Sequence, residues 1–253
     1  APGSLYITPS ITETLFAAGL GERIIGRTQQ CDWPLECNRI PAVGGFSTVT
    51  AEKIYTMKPD LVIGTTLHTR IFGDLKKHGS LVATIPPYPA FKAHAAIKCI
   101  GMVVGATLEC NNIAKQVETE ITNVKNNVSI YPSKTVCYLC NIKCPSWYDC
   151  NIASSIEFLN CKLAGRKKAA GKIDDDAIIK NITKDRPELI LVPQCSRCRE
   201  ECINRLLSTN NELSSYIRQN RIPVITFASK LIARNGPRSA QALMELTDSL
   251  FNL

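Results

Sequence analysis

The chain has 253 residues, 45% hydrophobic and 21% charged, with a formal net charge of +8. That length buries a substantial core in one large domain or two lobes, and the lack of any apolar run of about 18 residues excludes a membrane-spanning helix. The basic residues are dispersed apart from Arg166-Lys167-Lys168, with no stripe interleaved with aromatics, so the reading is a solvated surface and no nucleic-acid partner.

In chain order, Ser4 to Thr8 reads as a short strand. Ser10 followed by Glu13 reads as a capping box opening a helix through Leu15, Phe16 and Leu20 that stops at Gly21. Ile24-Ile25-Gly26 is a second strand, Thr50 to Met57 a short helix, Pro59 to Gly64 a buried strand, and Leu81 to Ile85 another. This is an α/β lobe on a mostly parallel sheet. From Phe91 to Asn126 there is no proline, and Ile97, Ile100, Val104, Leu108, Ile113, Val117 and Ile121 keep helical spacing, which predicts one long helix. Cys99 and Cys110 on it read as small buried hydrophobes.

A second α/β lobe follows. Thr135 to Leu139 is a strand, Ser154 to Leu163 a helix ending near Gly165, Asp176 to Thr183 a helix, and Pro187 to Val192 a strand. A helix over Glu212 to Arg218, a strand over Pro223 to Thr226 and a helix over Ser239 to Phe251 complete it. One unit recurs in both lobes: Lys58-Pro59-Asp60-Leu61-Val62-Ile63 corresponds to Arg186-Pro187-Glu188-Leu189-Ile190-Leu191.

The twelve cysteines include two copies of one pattern, Cys137-x2-Cys140-x3-Cys144 and Cys195-x2-Cys198-x3-Cys202. Thiolates at this spacing can converge on a soft metal centre. Three uses compete. Six thiolates suit iron–sulfur chemistry, as two 4Fe-4S type clusters or one larger cluster shared by both triplets, with Lys143, Arg197 and Arg199 offsetting its negative charge. Zinc would need a further ligand at each triplet, for which Cys150 and His68 are candidates. Disulfides fit an exported protein, although several bridges between two short loops strain the geometry. Cys31 and Cys37 form a separate candidate disulfide, and Cys161 reads as core.

The segments Thr8-Pro9-Ser10-Ile11-Thr12-Glu13, Cys31-Asp32-Trp33-Pro34, Val43-Gly44-Gly45-Phe46, Glu52 with Lys58-Pro59-Asp60-Leu61-Val62-Ile63, and Arg234-Asn235-Gly236-Pro237-Arg238 occur in an informative order. Together they resemble the substrate-binding proteins of ABC importers for metal chelates (cobalamin, ferric siderophores and haem), most nearly the cobalamin-binding branch. The resemblance implies two Rossmann-like α/β lobes, 1–90 and 129–253, joined by a long helix over 91–128, in the manner of class III periplasmic binding proteins. It implies a ligand cleft between the lobes, beyond the carboxyl ends of the strands.

Under it, both cysteine triplets fall on cleft loops of the second lobe. Trp33, Phe46, His68, Trp147, Tyr148, Arg197 and Arg199 would line the cleft. Glu52 would dock on the permease, with Asp176 substituting for a second glutamate where Lys180 stands in the pattern position. The abrupt start is compatible with a removed leader, and the resemblance implies an extracytoplasmic protein, compatible with a lipid anchor, that binds a small metal-containing ligand and is not an enzyme. An iron–sulfur cluster would be cargo or fixture. Cobalamin, another corrinoid or a siderophore, with the cysteines as disulfides or a zinc site, is the alternative. A cluster-bearing reductase or electron-transfer protein is a second, which the lack of a Gly-rich cofactor loop or nucleophile elbow disfavours.

Overall fold

The computed structural model describes residues 3–6, 8–139, 151–165, 180, 182–194 and 212–251. The strands are β1 (Ser4–Tyr6), β2 (Ile24–Arg27), β3 (Leu61–Thr65), β4 (Leu81–Ile85), β5 (Thr135–Tyr138), β6 (Lys162–Leu163), β7 (Leu189–Pro193) and β8 (Val224–Phe227). Two four-stranded sheets have the orders β2-β1-β3-β4 and β6-β5-β7-β8, and every pairing is parallel. The same order in both sheets puts the repeated Pro-acid-apolar unit at the start of the third strand each time. The expected α/β fold of two Rossmann-like units is what the chain adopts.

The chain divides into two compact units. The first comprises Ala1–Tyr88, Lys92–Glu120 and Arg234–Ser239; the second comprises Pro89–Phe91, Ile121–Ala233 and Ala240–Leu253. In the first, α1 (Pro9–Ala17), α2 (Ala51–Tyr55) and α3 (Thr69–Lys77) accompany the sheet. One cluster of its core joins Val43, Val49, Ile54, Val62, Phe72 and Leu75. β3 is buried at Val62, Ile63 and Gly64 in succession, as expected of a strand covered on both faces.

In the second unit, α6 (Asn151–Phe158), α7 (Glu212–Asn220), α8 (Ser229–Ile232) and α9 (Ser239–Phe251) accompany the sheet. Its core contains Val136, Leu189, Ile190, Leu191, Ile156, Leu159, Leu243, Leu246 and Leu250, all at most 3% exposed.

Three expectations change in detail. α1 begins at Pro9, with Thr8 at the cap and no side-chain capping bond. Proline suits a first helical position because its missing N–H has no partner there, so Ser10 and Glu13 lie inside the helix rather than boxing its end. The helix expected to run on towards Gly165 ends at Phe158, and Lys162–Leu163 pairs with β5 as an edge strand. The run from residue 93 is two helices, α4 (Ala93–Val104) and α5 (Thr107–Val128). Between them Gly105 turns left-handed at φ 70°, a conformation that glycine adopts without steric cost. α5, at 22 residues, is the long helix. It buries Cys110, Ala114, Val117, Ile121, Val124 and Val128, a stripe at alternating steps of four and three. Among the described residues no helix is long and apolar enough to cross a membrane.

Candidate functional site

In an open parallel sheet, ligands bind beyond the carboxyl ends of the strands, where the strand order reverses. In the first sheet that point lies between β1 and β3, and the loop after β2 lies one strand away, beside β1. The loop after β2 is built around one buried side chain, Arg27. Its Nε donates to Cys37 O at 2.7 Å and Ile40 O at 3.0 Å. Its Nη1 donates to Thr28 O at 3.2 Å and Cys31 O at 2.9 Å, and its Nη2 to Asn38 Oδ1 at 3.3 Å. A guanidinium is the one side chain able to satisfy so many carbonyls of a loop at once. Cys31 and Cys37 are both buried and free rather than bridged. The Cys37 thiol donates to Cys31 O at 3.0 Å, and burial pushes its pKa up against the opposing pull of Arg27.

The same loop carries Asp32 and Trp33, which meet residues from the far end of the sequence. Arg234 Nη1 lies 2.5 Å from Asp32 Oδ1 and 3.1 Å from Glu13 Oε1, and its Nη2 donates to Gln30 O at 3.0 Å. Arg238 grips both oxygens of Glu13, Nε to Oε2 at 3.0 Å and Nη2 to Oε1 at 2.7 Å. The Arg238 guanidinium carbon lies 4.7 Å from the Trp33 ring centroid. Two carboxylates and two guanidiniums thus form a neutral cluster within the first unit. Trp33 itself is 44% exposed, and Leu35 and Leu67 on this edge are also exposed.

Phe46 and His68 are brought together. The Thr65 N–H donates to His68 Nδ1 at 3.2 Å, so Nε2 carries the hydrogen and donates to Phe46 O at 3.0 Å. The rings meet edge to face at 4.7 Å. Both imidazole nitrogens are occupied by backbone, and burial lowers the His68 pKa. His68 therefore holds the Gly44-Gly45-Phe46 turn in place as a neutral ring, with no lone pair left for a metal. Phe46 N–H is in turn fixed by Gln30 Oε1 at 2.7 Å, which links this turn to the Asp32–Trp33 loop.

Glu52 stands exposed in the first turn of α2. Its carboxylate is held below the usual range by its own backbone N–H and by Thr50, so it remains a surface negative charge.

In the second sheet the corresponding point lies between β5 and β7. These neighbours pair Cys137 with Ile190 and Tyr138 with Leu191, and Leu139 N–H donates to Leu191 O at 2.9 Å. The chain leaves them at Leu139 and Gln194, immediately before the remaining thiols. Cys137 belongs to β5 itself, fully buried, its thiol pushed far up by desolvation. Cys161 is likewise buried. Cys140, Cys144, Cys195, Cys198, Cys202, Trp147, Tyr148, Arg197, Arg199 and Asp176 lie outside the described residues, and among the described residues no three His, Cys, Asp or Glu side chains form a group that could hold a metal ion.

Arg27 and the use of Glu13 were not evident from the sequence. The Arg234-to-Arg238 motif marked the region, but nothing local named its partners more than 200 positions away.

No family model matches the chain. It is 28% identical over 124 residues to an uncharacterized ABC transporter substrate-binding lipoprotein, YvrC, of Bacillus subtilis, a match covering 47% of this chain and 39% of that protein. It is 37% identical over 59 residues to the vitamin B12-binding protein of Vibrio vulnificus, covering 23% of this chain and 22% of the relative. The matched segments thus span well under half of these relatives. Over its whole length the fold is similar to that of the periplasmic haem-binding protein RhuT from Roseiflexus sp. RS-1 in apo form, at a TM-score of 0.80 and 20% identity, covering 100% of this chain and 99% of the other. The resemblance read from the residues is to the same kind of protein as these relatives.

Proposed function

We propose that this chain is the substrate-binding component of an ABC importer, working outside the cytoplasm, that takes a flat metal chelate of the corrinoid or haem class and hands it to a membrane permease. It binds and delivers rather than catalyses. The similarity to a substrate-binding lipoprotein over 124 residues carries this reading. Supporting it are the duplicated parallel sheet and the exposed aromatic and apolar side chains, Trp33, Leu35 and Leu67, on the loops beyond β2 and β3. Flat macrocycles are held by such walls with a few placed polar groups. Trp147, Tyr148, Arg197 and Arg199 are ligand-contacting candidates of the second unit by the sequence resemblance alone. Glu52 is the docking acid on the first unit and Asp176 its counterpart on the second.

The finer reading gives the cysteine triplets an iron–sulfur cluster, as cargo or as a fixture. Its support is the repeated spacing and the origin of both triplets at neighbouring strand ends, β5 and β7. Cys137 fits it least, because it is a fully buried residue of β5 itself rather than of the loop after it. The cluster would rest on Cys140, Cys144, Cys195, Cys198 and Cys202, with Cys137 as core.

One preparation separates the two. Protein purified without oxygen is assayed for iron and acid-labile sulfide, then titrated with hemin and with cyanocobalamin. Saturable binding of either probe near or below micromolar concentration is expected. A brown protein with stoichiometric iron and sulfide that ignores both probes would replace the chelate reading with the cluster. Colourless protein that binds neither probe removes both.

A further inference from the structure

We propose that Arg238 is a positioning residue: it holds the Trp33 indole by one face and so presents the other as a preformed stacking platform for a flat, conjugated ring. This deepens the binding role proposed above and rests on it.

Trp33 is an exposed aromatic on a loop, a place where a side chain ordinarily samples several rotamers. Here three constraints act on it. Asp32, the residue before it, is tied to Arg234 at 2.5 Å. The loop backbone is tied again where Arg234 meets Gln30 O. The Arg238 guanidinium lies over the ring, 4.7 Å from its centroid. Arg238 cannot easily turn away, because two of its nitrogens are held by both oxygens of Glu13, which is 3% exposed. A planar guanidinium bound edge-on to a carboxylate leaves its flat face for an aromatic ring. The Arg234–Asn235–Gly236–Pro237–Arg238 segment supplies both cations, and Asn235 Nδ2 anchors it to Tyr88 O.

The stacking contributes little to the core, since a ring left 44% exposed buries only part of its apolar area. Its effect is order. A ring fixed before the ligand arrives avoids the entropy cost of being fixed on binding.

The test uses two arms. For the first, Trp147→Phe leaves Trp33 as the sole tryptophan of the chain's two, and acrylamide quenching and fluorescence anisotropy report its order. Arg238→Gln should raise the quenching constant about twofold and lower the anisotropy, with Arg238→Lys in between. For the second, the chain with Trp147 intact is titrated with hemin and cyanocobalamin. Arg238→Gln and Trp33→Leu should each weaken the bound probe about three- to tenfold, and the double variant should be little worse than Trp33→Leu alone. Unchanged quenching in Arg238→Gln overturns the proposal, as does a Trp33→Leu protein that binds like its parent. If Arg238→Gln fails to fold, Trp33→Leu and Arg238→Lys, which keeps the charge, still decide. A parent that binds neither probe defeats the proposed ligand class, while the fluorescence arm still decides whether Arg238 orders the ring.

Discussion

Glu13 lies on α1 with both oxygens taken by Arg234 and Arg238. A buried carboxylate is tolerated only when paired, and removing one partner leaves the other charge buried and unsatisfied. Glu13→Ala should therefore cost about 3–5 kcal/mol in urea unfolding, far more than the loss of a helix cap. A loss under about 1 kcal/mol would show that water compensates both arginines. His68 acts in the opposite sense. Its folded pKa lies below the ordinary value because burial opposes the charged ring. The unfolded chain therefore binds the extra proton first, and stability falls as pH drops below about 6.5. Between pH 7.5 and 5.5 the urea midpoint should decline, and the decline should flatten in His68→Asn. Equal slopes for the two proteins would remove His68 as the cause.

At the level of elements, the periodic pattern read best where one residue face meets a core. The last helix was legible from Ser239 to Phe251 and β4 from Leu81 to Ile85, both as found. The signal failed where a partner distant in sequence decides. A Ser followed three residues later by Glu marks a helix end locally, yet Glu13 answers to arginines more than 200 residues on. Lys162–Leu163 is too short to show strand alternation and is a strand only because β5 lies beside it. Of the candidate site, the resemblance singled out Trp33, Phe46 and His68, and the structure brings Phe46 and His68 into contact. That both nitrogens of His68 are committed to backbone was not legible, because tautomer and partner are tertiary facts.

The break between α4 and α5 is closed by two glycines with different surroundings, Gly101 and Gly105. A Cβ on Gly105 would meet nothing within 4 Å, so Gly105→Ala carries only the cost of a left-handed backbone, about 1 kcal/mol. A Cβ on Gly101 would lie 2.5 Å from Cys110 Cβ and 3.0 Å from Ala106 O, which overpacks the junction by about 1–3 kcal/mol despite alanine's better helix propensity. Thermal unfolding should rank Gly101→Ala below Gly105→Ala, and the reverse order would mean that the two helices separate readily at this turn.

At the level of the whole molecule, chain order and unit membership do not coincide. Residues 92–120 complete the first unit, the chain then builds most of the second, and Arg234–Ser239 return to the first before the last helix closes the second. The returning hexapeptide is short, yet it carries both cations of the cluster with Glu13 and Asp32. A fragment of residues 1–120 keeps the whole first sheet and α1 to α4 but leaves Glu13 and Asp32 without their arginines. Such a fragment should not fold as a rigid domain: losing the partners of a paired carboxylate costs several kcal/mol, comparable to much of a domain's net stability. Glu13→Leu in that fragment removes the unpaired charge while keeping apolar volume, and it should restore a cooperative urea transition that the unaltered fragment lacks. In the full chain the same substitution takes the carboxylate from Arg238 and leaves Arg234 with Asp32 as its remaining one, and should destabilise. That reversal of sign between fragment and full chain is the diagnostic. Destabilisation in both would mean that the first unit depends on the return for apolar packing rather than for charge.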